Sequence, residues 1–83
     1  MKYKVVWTRA AESRLAQMWL ASRMRHLIKE AADEIDASLA QNPYDSGESR
    51  DADRRVTFLW PVGVLFTIDE IQKQVKVVSV WQY

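Results

Sequence analysis

A single change of hydrophobic period constrains this chain more than any other feature. From Ala11 to Leu39, just short of Asn42-Pro43, the apolar residues recur at helical spacing. From Arg54 onward they alternate with polar ones, as in a half-buried strand. The first helical stripe is Ala11, Leu15, Met18 and Trp19, and the second is Ile28, Ala31, Ala32, Ile35 and Leu39. Thr8 suits an N-cap, and the first helix should fray near Ser22 to Arg25. Asn42-Pro43 ends the second helix, because proline cannot continue it and restricts the residue before it.

Ahead of the helices, Tyr3, Val5 and Trp7 share one face of a short strand. Beyond the irregular stretch Asn42 to Asp53, three more strands follow. Val56, Phe58 and Trp60 alternate in the first, and Val62, Val64, Phe66 and Ile68 in the second. Val75, Val77, Val78 and Val80 form the third, which ends at Trp81. Pro61-Val62-Gly63 and the polar segment Asp69 to Gln74 are the turns, the latter with Ile71 as its odd apolar member. Strands joined by turns this short are antiparallel. The expected fold is α+β: an N-terminal strand, an antiparallel helical hairpin, then a three-stranded antiparallel meander. The helices pack on one sheet face and leave the other partly open. With 83 residues, one domain spans 1–83.

Composition narrows the chemistry. Cysteine is absent, which excludes disulfides and thiolate metal sites, and the single His26 cannot build a His-rich metal site or a two-histidine nuclease site. Glu30, Asp33 and Asp36 lie on one helical face and read as a solvated acidic surface, not a metal site, which needs ligands from more than one element. No metal and no cofactor are expected. No stretch approaches the roughly 18 apolar residues of a membrane span. Met1-Lys2-Tyr3-Lys4 leads straight into a strand, so a cytoplasmic protein is expected. Net charge is +1 but unevenly spread: +6 over residues 1–29, −7 over 30–53 and +2 over 54–83. This partition can draw the two helices together, or present a basic face to a polyanion and an acidic one to a basic partner.

The order of elements and several local segments resemble the RelE/ParE family of type II toxins over nearly the whole chain. The segments are Tyr3-Lys4-Val5-Val6-Trp7-Thr8 with Ala11, then Leu39-Ala40-Gln41-Asn42-Pro43, then Gly47-Glu48-Ser49-Arg50. Arg54 and Arg55 open the next strand, and Val64-Leu65-Phe66-Thr67-Ile68-Asp69 and Val75-Lys76-Val77-Val78-Ser79-Val80-Trp81 stand for the last two. The resemblance implies a plasmid-stabilisation or stress-response toxin, held inactive by a cognate antitoxin protein. RelE-like members are mRNA interferases that cut mRNA in the ribosomal A site without a metal. ParE-like members inhibit DNA gyrase and are not nucleases. Association with a partner or with itself is compatible with either.

Carried onto this sequence, the resemblance makes Arg50, Arg54 and Arg55 the RNA-binding candidates. Arg54 and Arg55 would stabilise charge on the scissile phosphate, and Tyr83 is the proton-transfer candidate. Val62-Gly63 stands where the family usually carries Tyr-Arg. A non-catalytic binding module of the same fold is the alternative. As strand neighbours, Arg54 and Arg55 point to opposite faces, so at most one meets a given substrate. Their structural role would be to close the loop beside Asp51 and Asp53. Trp7 and Trp19 are expected in the core, whereas Trp60 and Trp81, near strand ends, can either pack or stack on unpaired bases.

Overall fold

A computed structural model describes residues 2–49 and 53–83, so the expectations placed on Arg50 and Asp51 fall outside it. Strand β1 (Lys4–Trp7) ends at Thr8, whose hydroxyl oxygen accepts from the Ala11 N–H at 3.1 Å and caps helix α1 (Arg9–Ala21). Ser22 stops α1 in an extended conformation, and helix α2 (Arg25–Gln41) follows almost at once. Asn42 ends α2, its N–H still donating to the Ser38 carbonyl at 2.9 Å. Then come β2 (Glu48–Ser49), β3 (Arg54–Leu59), β4 (Val62–Asp69) and β5 (Gln74–Gln82).

The strands form one sheet in the order β1-β5-β4-β3-β2. The meander β3-β4-β5 is antiparallel as its short turns require, and β1 adds a parallel edge beside β5. The long helical crossover between β1 and the meander makes that parallel pairing possible. One element differs from expectation: the stretch read as pure loop contains β2, paired antiparallel with β3. Gly47 permits it. A Cβ there would sit 2.4 Å from the Val56 carbonyl oxygen and 3.0 Å from the Phe66 ring, so only glycine lets the chain pass this close to β3.

Both helices cover one face of the sheet, α1 against β5 and α2 against β1, β3 and β4. Val62, Val64 and Phe66 of β4 meet Val75 and Val77 of β5 and Ile28 and Leu39 of α2, all fully buried. Each such side chain contributes about 1.5–3 kcal/mol by leaving water. Trp7 packs against this core, and its indole N–H donates to the Asp36 carboxylate at 2.9 Å. Asp36 therefore belongs to the packing, while Glu30, Asp33 and Glu34 face solvent. Trp19 corrects the expectation of a core residue: it is 39% exposed. It lies at the rim of the α1/α2 groove with the Arg25 guanidinium 5.0 Å from its ring, because Met18 already fills the inward position beside it.

Candidate functional site

The uncovered sheet face is set by register. Because Val64 and Phe66 point at the helices, their neighbours Gly63, Leu65 and Thr67 point away. Cross-strand pairing then lays out rows on the open face. Arg54, Thr67, Lys76 and Val6 form one, and Val56, Leu65 and Ser79 the next. Phe58, Gly63 and Trp81 form the row nearest the β3–β4 turn. Arg54 is exposed and has no hydrogen-bond or ion-pair partner among the described residues. Lys76 lies two strand spacings away, about 10 Å, with the Thr67 hydroxyl group between them. The row offers two cations to an anionic ligand.

Arg55 points the other way. One of its guanidinium nitrogens donates to the carbonyls of Tyr44 and Gly47, at 2.8 and 2.7 Å, and the guanidinium lies 5.7 Å from the Tyr44 ring. It closes the loop through backbone carbonyls. The Thr57 hydroxyl adds a bond to the Ser46 carbonyl on the same side. Beside Arg55 the two hydroxyls of Tyr3 and Tyr44 donate to one oxygen of Glu70, at 2.8 and 2.9 Å, and the Lys73 ammonium pairs with the other oxygen. The Lys73 ammonium and the two hydroxyls pull the Glu70 carboxyl down from about 4.5 to about 2, because all three stabilise its anion. The same bonds push both tyrosine hydroxyls up. Lys73 itself has a φ of 53°, in the left-handed region of the β4–β5 turn, and its carbonyl accepts from the Lys4 N–H at 2.8 Å.

At the opposite end of the sheet, Tyr83 lies just past β5, its N–H donating to the Pro61 carbonyl at 3.0 Å. Its ring stands edge-on to Phe58 at 5.6 Å, and Trp81 does likewise at 5.9 Å. Trp81 spreads across Gly63: a Cβ on that glycine would sit 2.6 Å from the indole. The indole thus fills the space above β4 where a side chain at position 63 would project.

The three predicted catalytic residues are not brought together. Arg54 is on the open face and Arg55 on the covered one. Tyr83 joins Phe58, four residues along β3 from Arg54, about 13 Å away. Lys76 escaped the sequence reading as a site residue. The signal was present, since Val75 and Val77 on either side of it are core positions and force it to the other face.

No protein-family model matches the chain, and no curated protein matches its sequence. Solved structures match it over nearly its full length. A chain of the RelBE2 toxin-antitoxin complex from Mycobacterium tuberculosis has TM-score 0.82 and 17% identity, with 100% of both chains covered. The isolated E. coli RelE toxin has TM-score 0.66 and 17% identity, covering 96% of this chain and 83% of that one. A chain of the chromosomal ParDE system of P. aeruginosa has TM-score 0.72 and 16% identity, covering 98% and 96%. The match to a toxin solved alone identifies the shared architecture as that of the toxin component. The chain has the RelE/ParE toxin fold. Among the described residues, no helix is long and apolar enough to cross a membrane.

Proposed function

We propose that this chain is the toxin of a type II toxin-antitoxin pair, held in the cytoplasm by a cognate antitoxin. Released, it acts by binding its target through the open sheet face, without cutting RNA. The observation that carries the toxin reading is the end-to-end match, both chains fully covered, to a chain from a toxin-antitoxin complex. The preference for binding comes from the separation of Arg54, Arg55 and Tyr83. Phosphodiester cleavage by 2′-hydroxyl attack requires charge stabilisation and proton transfer at one phosphate, and these groups lie on two faces and about 13 Å apart along β3.

A second reading, metal-independent cleavage of mRNA in the ribosomal A site, draws on the Arg54–Thr67–Lys76 row, which suits a phosphate. Expression without an antitoxin tests the toxin reading: growth stops, and co-expression of the antitoxin restores it. Unimpaired growth overturns it. Primer extension on ribosome-bound mRNA separates the two modes. Binding gives no new 5′ ends, and cleavage gives them. A gyrase target would appear in the same strain as loss of supercoiling with intact mRNA.

A further inference from the structure

We propose that the outer groove between α1 and α2 is a docking surface for a second copy of this chain. The two copies pack about a two-fold axis that passes through the middle of the groove. The proposal goes beyond the toxin reading and does not depend on it. Both helices cover the same face of the sheet, so pairing through them leaves the open sheet face of each copy pointing outward.

The groove is apolar and open to water. Its volume is about 460 Å³, and Leu15, Ala16 and Trp19 of α1 face Ile28 and Ala32 of α2 across it. Leu20, next to the exposed Trp19 on α1, is itself 63% exposed. Arg25 holds this rim in place. Its guanidinium lies 5.0 Å from the Trp19 ring and donates to the Leu20 carbonyl at 3.3 Å. A ring ordered before contact loses less entropy on binding. Tryptophan and arginine are also the side chains enriched where interfaces gain most of their energy. At mid-groove the small Ala16 and Ala32 let a second pair of helices approach closely.

Charge selects the occupant. Arg25, Lys29, Asp33 and Asp36 follow one another three or four residues apart along the groove side of α2. The end beside the α1–α2 connection is therefore basic. The end near Trp7 is acidic, and Glu12 of α1 adds a third carboxylate there, against Arg9 one turn before it. The Glu12 carboxylate has no hydrogen-bond or ion-pair partner among the described residues. Lys29 pairs with Asp33 at 2.9 Å, but both are largely exposed, so the ammonium is open to a second carboxylate. An occupant must carry the reverse order of charge. A second copy turned by 180° supplies it twice. Its α1 lies over α2, so Glu12 of each copy meets Arg25 and Lys29 of the other, as in the self-complementary contact of a two-fold dimer. Size sets the strength. The 13 residues of α1 span about 20 Å, and two helices side by side are about 20 Å wide. Such a face lies at the low end of the roughly 800 Å² that each partner of a stable complex buries, which gives a dissociation constant of roughly 1–100 µM.

The test is sedimentation equilibrium of the full chain from about 1 to about 300 µM. The proposal expects a passage from the 9.7 kDa monomer to a species of twice that mass. Trp19→Ala raises the dissociation constant at least about tenfold, the effect of losing a tryptophan anchor. Glu12→Lys and Lys29→Glu each weaken self-association at least about tenfold, because each sets like charges together at two places. Mixed in equal amounts, these two variants pair with each other at least about tenfold more tightly than either pairs with itself, since both contacts regain opposite signs. A merely structural role for Glu12 or Lys29 would not give that rescue. A parent chain that stays monomeric to the top of the concentration range overturns the proposal. So does self-association that Trp19→Ala leaves unchanged, or a mixture that associates no better than its components. A chain that never dimerises but binds an amphipathic helix of another protein at Trp19 also overturns it, and assigns the groove to that partner.

Discussion

The two ends of the sheet carry aromatic groups of similar geometry in opposite chemical situations. Tyr3 and Tyr44 meet edge to face at 6.4 Å, and Phe58 meets Tyr83 at 5.6 Å in the same manner. At the first end both hydroxyls end on Glu70, Lys73 lies 5.3 Å from the Tyr3 ring, and Arg55 lies over Tyr44. That end ties the N-terminal strand, the loop after α2 and the β4–β5 turn into one network. At the second end, among the described residues, no carboxylate or cation is engaged and the Tyr83 hydroxyl has no hydrogen-bond partner. The same ring geometry therefore sits in a polar network at one end, and stands without one at the other.

Breaking the cohesive end should show first in stability. Arg55→Ala removes the donor shared by the Tyr44 and Gly47 carbonyls and the cation over Tyr44. Loss of charge-assisted bonds of this kind costs about 2–3 kcal/mol. For a domain of this size the melting temperature should fall by roughly 10–20 °C, measured by circular dichroism. An unchanged melting temperature would show that Arg55 is free for a ligand and would return it to the catalytic candidates.

A smaller effect isolates Glu70. Its carboxyl is held at about 2 in the folded protein instead of near 4.5. A depressed carboxyl pKa contributes stability that is fully present above the ordinary value and is lost as pH falls from about 4.5 toward 2. Glu70→Gln should therefore lower the melting temperature at neutral pH by less than Arg55→Ala, since the network is solvent-exposed and screened. The difference between parent and variant should shrink on acidification and vanish near the bottom of that window. A difference that stays constant with pH would mean that the tyrosine hydroxyls, and not the ionised carboxylate, hold the network.

The sequence made the covered face of the protein legible and left much of the open one obscure. Ile28, Ile35 and Leu39 on α2, and Val62, Val64 and Phe66 on β4, announce their burial by period alone. Thr8 and Asn42-Pro43 mark helix ends because capping and proline geometry are local. The opposite directions of Arg54 and Arg55 also follow from strand alternation. What alternation does not tell is which arginine meets solvent, because that depends on the return of the loop from Tyr44 to Gly47. Nor could Gly63 be interpreted before Trp81 was found lying on it, since the contact comes from pairing across β4 and β5. Trp19 followed the helical stripe but lies at its edge, where period cannot distinguish rim from core.

Arg54 gives the smallest stability effect and parts function from folding most cleanly. It has no internal partner among the described residues, so Arg54→Ala should leave stability within about 0.5 kcal/mol of the parent. Its next neighbour in sequence is the residue whose loss should cost the most. If Arg54 instead serves the target, growth arrest should weaken in a variant that melts like the parent. The pair Arg54→Ala and Arg55→Ala then separates function from folding at adjacent positions. A stable Arg54→Ala protein with full toxicity would place the target contact elsewhere on the open face.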